Sequence, residues 1–258
     1  MSATATPLAI AIVGYGRMGR LIERVATARG HRISARIDRS VPEADHRTVD
    51  AASLAGADTV IEFAHGAHVA DNARAYRAAD LRVVLGTTGW SAQREAVVAD
   101  LAAMSAPAMI GDNFSIGAAL FRRLAASAAA MAAVAEEYDV ALHEIHHRNK
   151  LDSPSGTARY VAEAVLAATA AKQQIQTETL HRGIEADELH VTSTRVGSTP
   201  GTHTLYIDSD ADTIEIVHRA RNRDGFAIGA VRAAEWLVGK HGVFEVAQMF
   251  ADLLPGQT

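Results

Sequence analysis

Leu8-Ala9-Ile10-Ala11-Ile12-Val13-Gly14-Tyr15-Gly16-Arg17-Met18-Gly19 joins a continuous apolar run to three glycines spaced G-x-G-x-x-G. An uninterrupted apolar run ending in glycine predicts a strand buried on both faces. Beyond it, Met18, Leu21, Ile22 and Val25 share one face of a helix. In this order each glycine has its own task. The first allows a tight turn, the second lets a pyrophosphate approach the backbone, and the third lets helix and strand pack closely. Free N–H groups at the helix start then face the anion. Gly14, Tyr15, Gly16, Arg17, Met18 and Gly19 are therefore candidate cofactor-binding residues. Asp38 follows about 20 residues later at the end of a second strand, where a carboxylate can accept hydrogen bonds from an adenosine ribose. Arg39 beside it can pair with a 2′-phosphate, which leaves both NADH and NADPH open. The competing readings are a tight turn without a ligand and, for Arg39, a solvated surface charge.

The same rhythm continues through the first half. Arg32 to Ile37, Asp58 to Phe63, Arg82 to Leu85 and Ala106 to Ile110 read as strands. An alanine-rich helix runs up to Ala79, and another, with Ser91 as its cap, runs to about Met104. This alternation predicts an α/β fold, a Rossmann-type doubly wound parallel sheet. Gly86-Thr87-Thr88 and Gly111-Asp112-Asn113-Phe114 close the fourth and fifth strands. Ligands of such sheets bind beyond the carboxyl ends of the strands, so both loops are placed to line the nicotinamide half. Read alone, either is also an ordinary turn with a helix cap.

The middle changes character. A long helix is expected from Ile116 to about Ala135, opened by Ser115, then a strand from Tyr138 to Ile145, and a helix from Ser155 to about Ala171. Leu189 to Val196, Thr202 to Ile207 and Thr213 to Val217 alternate apolar with polar, the pattern of a sheet with one wet face. This predicts an α+β second domain with an open, mainly antiparallel or mixed sheet. Phe226 to Leu254 reads as helical, with Val231, Trp236 and Leu237 as core candidates. The expected division is residues 1–113 for dinucleotide binding, 114–225 for substrate binding and oligomerisation, and 226–258 as a helical segment returning to the first domain.

Composition narrows the classes. The 258 residues are 48% hydrophobic and 21% charged, which excludes disorder. No cysteine is present, so disulfides, thiolate metal sites and a cysteine nucleophile are excluded. A net charge of −5 makes no case for nucleic acid. No apolar run approaches the ~18 residues of a membrane span. Met1 to Pro7 lacks the features of a signal peptide, so the expected location is cytoplasmic. Positive charge is almost all arginine: the only lysines are Lys150, Lys172 and Lys240. Lys172 and Lys240 read as ordinary surface charges.

Lys150 lies in the most informative stretch, Glu144-Ile145-His146-His147-Arg148-Asn149-Lys150-Leu151-Asp152-Ser153-Pro154-Ser155-Gly156-Thr157. Two histidines end a strand, a lysine follows in the loop, and Ser-Gly-Thr opens a helix. Ser155, Gly156 and Thr157 at that helix start can hold a carboxylate. Lys150 and one histidine add charge and a general acid. The result is a receptor for a small anionic substrate. The alternatives are a plain N-cap at Ser155 and chance adjacency among twelve histidines. A zinc site lacks both cysteine and H-x-x-x-H spacing, and no metal is expected.

The segment from His146 to Thr157 closely resembles the signature of the dihydrodipicolinate (4-hydroxy-tetrahydrodipicolinate) reductase family. Gly14 to Arg20, Gly86 to Gly89, Asn113 to Gly117 and Arg221 to Leu237 resemble further family segments in the same order, so the likeness covers nearly the whole chain. It implies reduction of a cyclic imine dicarboxylate to tetrahydrodipicolinate by NADH or NADPH, in lysine and diaminopimelate biosynthesis. By motif, His146 resembles the family's acid/base residue and Lys150 its proton donor, while His147, Gly156 and Thr157 resemble its substrate contacts. Gly14 to Gly19, Asp38, Arg39, Gly86 to Thr88 and Gly111 to Phe114 resemble its cofactor contacts. The resemblance also implies a homotetramer associating through second-domain sheets. Two departures stand out: a phosphate loop one residue shorter than in many members, and Phe63-Ala64-His65-Gly66 where Thr or Ser and then Pro usually follow the Phe. A related dehydrogenase of an amino or imino acid, such as aspartate or diaminopentanoate, and a dinucleotide sensor without turnover remain the other readings.

Overall fold

The computed structural model describes residues 6–254. The first five residues of the Met1-to-Pro7 stretch lie outside them. Compact packing divides the chain into two units, Met1–Ser115 with Arg223–Thr258, and Ile116–Asn222.

In the first unit β1 (Ala9–Val13) leads through the glycine loop into α1 (Arg17–Ala28). Then follow β2 (Arg32–Ile37), β3 (Thr59–Glu62), α2 (Val69–Ala79), β4 (Arg82–Leu85), α3 (Arg94–Ala102) and β5 (Ala108–Ile110). Short 3-10 turns, Gly66–His68 and Ser91–Gln93, precede α2 and α3. Ser91 is the first residue inside its turn, and no side chain caps it, which corrects the expected Ser91 cap. Every residue of β1 is buried, as a two-faced strand requires.

The unit's C-terminal part departs from the expected run of helix. In the second unit, before it in sequence, lie α4 (Ile116–Ala132), β6 (Asp139–His146), α5 (Gly156–Ala168), β7 (Gln174–Gln176), β8 (Glu188–Arg195), β9 (Thr202–Asp208) and β10 (Thr213–Arg219). The chain then forms α6 (Asp224–Trp236), a three-residue strand β11 (Val243–Glu245) and α7 (Val246–Leu253). β11 adds to the edge of the first sheet, pairing parallel with β5. Three residues are too short for periodicity to reveal; the edge of β5 supplies the missing partner. Val231 and Leu237 are buried as expected. Trp236 is only half-buried, edge-on to Phe244 with Lys240 over its ring. Glu235 ties α6 to the end of α1, accepting from Arg29 at 2.7 and 2.8 Å and meeting His31 Nε2 at 2.8 Å.

The first sheet is all-parallel, in the order β11-β5-β4-β3-β1-β2. One register row crosses it at the carboxyl edge: Ile37, Val13, Glu62, Leu85, Ile110 and Glu245. Asp38, Gly14, Phe63, Gly86 and Gly111 therefore leave the sheet at the same level. The strand order reverses about β1, where open α/β sheets bind their ligands.

The second sheet is mixed, in the order β10-β9-β6-β8-β7. β6 pairs antiparallel with β9 and parallel with β8. Helices α4 and α5 share one apolar core with Val140, Leu142, Val191, Leu205 and Ile207, so both cover the same sheet face. Lys172 corrects its surface assignment. It is buried, donating to the Ala186 carbonyl at 2.9 Å and meeting Asp139 at 2.5 Å. The long aliphatic stem buries easily once the ammonium has such partners.

Candidate active site

The glycine loop is shaped by what surrounds each glycine. Gly14 has φ +88°, and a Cβ there would lie 2.3 Å from the Phe63 carbonyl oxygen. A Cβ on Gly19 would lie 2.3 Å from the Gly14 oxygen. Gly16 differs: the space its Cβ would take is open, and it precedes α1 with no side-chain cap. An open cradle above uncapped N–H groups fits a pyrophosphate. Arg17 is exposed, Met18 is half-buried, and Tyr15 is buried beneath Arg20, its ring centroid 4.9 Å from that guanidinium.

Asp38 braces this loop. One oxygen accepts from Tyr15 N at 2.9 Å; the other accepts from Ser40 N, Ser40 Oγ and Val41 N at 2.9, 3.1 and 3.0 Å. Burial pushes its pKa up, but these donors together outweigh burial and hold it below the usual range. Arg39 is exposed. The remaining loops are packed tightly. Thr87 is buried and accepts from Ala64 N at 2.9 Å, while Thr88 is exposed. A Cβ on Gly86 would meet the Phe63 ring at 2.2 Å, and one on Gly111 would meet Val246 at 2.7 Å. Asp112 is exposed, and Asn113 Oδ1 accepts from Ser115 N at 2.8 Å. Phe114 is sealed, edge-on to Phe63, with α6 against its backbone at Gly229. In the departing segment, Gly66 lets the backbone approach the carbonyls of Thr88 and Gly89.

In the second unit β6 brings ionisable side chains inward at its carboxyl end. Val140, Leu142, Glu144 and His146 are its buried positions, so the inward face turns from apolar to ionisable at its carboxyl end. Register sets Ser193, Glu144, His203 and His218 in one row across β8, β6, β9 and β10. Glu144 is fully buried. Its Oε1 accepts from Ser155 N at 3.0 Å, Ser193 Oγ at 2.7 Å and Arg195 Nη2 at 2.8 Å. Its Oε2 lies 2.6 Å from His146 Nδ1 and 3.8 Å from His203 Nε2. Burial pushes this carboxyl up, yet His146, Ser155, Arg195 and Ser193 together hold it far below the carboxylate range. Burial pushes His203 down to about 4, and lowers His218 too.

Lys150, half-buried, meets Asp152 Oδ1 at 2.8 Å; Asp152 Oδ2 accepts from Gly156 N at 3.2 Å. Asp152 thus bridges the lysine and the start of α5. Gly156 is exposed, and Thr157 and His147 are half-buried. Ser155 is buried. Its N–H goes to Glu144, and its hydroxyl accepts from Ala158 N at 3.2 Å. The capping reading of Ser155 thus describes its contacts here. Arg195 also donates to the carbonyls of Lys150 at 3.3 Å and Asp152 at 2.5 Å, fixing the loop. Glu144, Asp152, Arg195 and His203 were missed as site residues. Asp152 and Glu144 stood within the quoted segment, the acids beside Arg148, Lys150 and the two histidines. Arg195 and His203 lie far along the chain and reach the site through strand pairing.

The family models described as dihydrodipicolinate reductase, N-terminus and C-terminus, match residues 8–114 and 117–250. The chain belongs to the dihydrodipicolinate reductase family. A 4-hydroxy-tetrahydrodipicolinate reductase of Christiangramia forsetii is 36% identical, with 95% of this chain and 98% of the relative covered. One of Archaeoglobus fulgidus is 34% identical, covering 89% and 94%. A dipicolinate-bound dihydrodipicolinate reductase from Paenisporosarcina sp. TG-14 shares the fold, with TM-score 0.75, 22% identity, and 95% and 100% of the two chains covered. The family's segments thus extend across both units of this chain.

Proposed function

We infer that the chain is a pyridine-nucleotide-dependent reductase acting in lysine and diaminopimelate biosynthesis, reducing 4-hydroxy-tetrahydrodipicolinate with loss of its hydroxyl as water, or the already dehydrated dihydrodipicolinate, to tetrahydrodipicolinate. The single observation that carries this reading is the Lys150–Gly156 donor pair, gathered on one carboxylate beside the His146–Glu144 contact. NADH or NADPH is held at Gly14 to Gly19, with Asp38 and Arg39 toward the adenosine and residues 86–88 and 111–114 toward the nicotinamide. Reduced nicotinamide, when bound, supplies a hydride. The chain's own residues supply the rest. Lys150, Gly156 and Thr157 receive a substrate carboxylate, which replaces Asp152 on the first two, and His147 adds a contact. His146 and Lys150 hold the proton that meets negative charge on the imine side. Lysine fits that task because arginine stays protonated.

The assembly we propose is a homotetramer in the cytoplasm, joined through the face of the second sheet opposite α4 and α5. No helix among the described residues is long and apolar enough to cross a membrane. The deciding assay supplies the condensation product of pyruvate and aspartate semialdehyde and follows NADH or NADPH absorbance. Oxidation that depends on that product is expected. Reduction of NAD+ or NADP+ by an amino acid such as aspartate or diaminopentanoate, which is itself oxidised to the imino acid, would point to a related dehydrogenase, and nucleotide binding without turnover would point to a sensor.

A further inference from the structure

Glu144 and His146 stand two residues apart on one face of β6, and the carboxylate has an unequal environment. Three donors converge on Oε1, from α5, β8 and the arginine of β8. Oε2 lies 2.6 Å from the imidazole Nδ1, and neither of these two buried atoms has another hydrogen-bond partner. We propose that Glu144 is a positioning residue that keeps the proton of His146 on Nδ1 and leaves Nε2 as the working nitrogen, with Gly201 holding Nε2 clear. This rests on His146 being the acid/base residue of the reduction.

The argument is one of donors and acceptors. An ionised carboxylate only accepts, so the ring nitrogen facing it carries hydrogen. Arg195 pairs with the other oxygen at 2.8 Å and keeps the carboxylate charged without competing for Oε2. The other groups around the ring do not reverse this. The His203 ring of β9 lies edge-on at 5.2 Å and is kept neutral by burial. His218 of β10 stacks behind His203, and the Lys150 ammonium is paired with Asp152. On the far side of His146, Gly201 has φ +152°, and a Cβ there would lie 2.8 Å from Nε2. Any side chain at 201 would cover the nitrogen that the carboxylate leaves free.

Glu144, His146 and His203 also bring ligand atoms within 4.8 Å of one another. A metal site does not follow. Ligands about 2 Å from a tetrahedral zinc stand roughly 3.3 Å apart. The 2.6 Å contact between Glu144 and His146 is shorter, and Arg195 already neutralises the carboxylate.

The test reads the tautomer directly. In protein labelled with 15N-histidine, the His146 signals are assigned by their loss in His146→Gln. Neutral His146 is expected to carry hydrogen on Nδ1 and a bare Nε2; the opposite tautomer overturns the proposal. Glu144→Gln turns an amide donor toward Nδ1 and is expected to reverse the tautomer, lower kcat about 100-fold and change KM by less than about 3-fold. The pH profile of kcat is expected to change with the tautomer. A variant with an unchanged tautomer and pH profile would show a purely structural role and overturn the proposal. If Glu144→Gln does not fold, the wild-type spectrum decides. The spectrum needs no substrate. Wild-type turnover by His146→Gln would therefore sink the acid/base reading while leaving the tautomer separately measured.

Discussion

Lys150 and Arg195 are cations on the same loop-and-strand corner, with different physical tasks. Arg195 is multiply bonded to Glu144 and to two loop carbonyls, a holding role that suits a planar group with a fixed fork of donors. Lys150 makes an ion pair with Asp152 and is the proton donor of the proposed reduction. Lys150→Ala is expected to lower kcat at least about 100-fold with the melting temperature unchanged. Lys150→Arg should not restore turnover; a near-normal rate in either variant would remove Lys150 from the proton path. A second buried acid has a different consequence. Glu62 accepts from Asn72 at 3.0 Å and Tyr76 at 2.7 Å, and burial raises its pKa to about 7. Folded protein therefore holds a proton that the unfolded chain releases near 4.5, and stability from this group falls as pH rises from about 4.5 to 7. Glu62→Gln should gain on the order of 2 kcal/mol over wild type at pH 8 and little at pH 4. Urea denaturation at both pH values reads this, and an equal difference at both would refute it.

At the scale of elements, the β1-loop-α1 unit separates two kinds of glycine. Gly14 meets the next strand's backbone and has a positive φ; Gly16 opens to empty space. Gly14→Ala should destabilise the first unit by about 1–3 kcal/mol, because backbone strain cannot be relieved by a side-chain rotation. Gly16→Ala should keep its fold and weaken NADPH binding about 10-fold or more, since its methyl group fills the phosphate cradle. Thermal melting with fluorescence titration distinguishes the two. Equal NADPH affinity in Gly16→Ala would displace the dinucleotide from this loop. The β6 strand teaches a related lesson: the inward apolar residues Val140 and Leu142 anchor the strand, and the same alternation then turns Glu144 and His146 inward.

At the scale of the whole molecule, the second sheet has α4 and α5 on one face only. Ala141, His143 and Ile145 of β6 occupy the other. Light scattering is expected to give four times the 27.3 kDa chain mass. Ala141→Glu, which sets a charge on that face, is expected to reduce the mass; a monomeric wild type would refute the assembly. The first sheet, its loops and the His–Lys segment were legible along the chain because periods of two and 3.6 and glycine spacing are local properties. β11 was not, since three residues carry no period and their strand exists only because β5 offers an edge. Lys172 read as surface charge because nothing local announces Asp139 or the Ala186 carbonyl. By itself the sequence determined the strand–helix alternation of the first unit as far as β5, the glycine loop and the residues able to carry a proton. Tertiary structure alone decided that Arg195, Ser193 and His203 gather on Glu144 and that Gly201 faces His146. Strand pairing makes these neighbours of residues some 50 positions apart, and no local pattern encodes a cross-strand register.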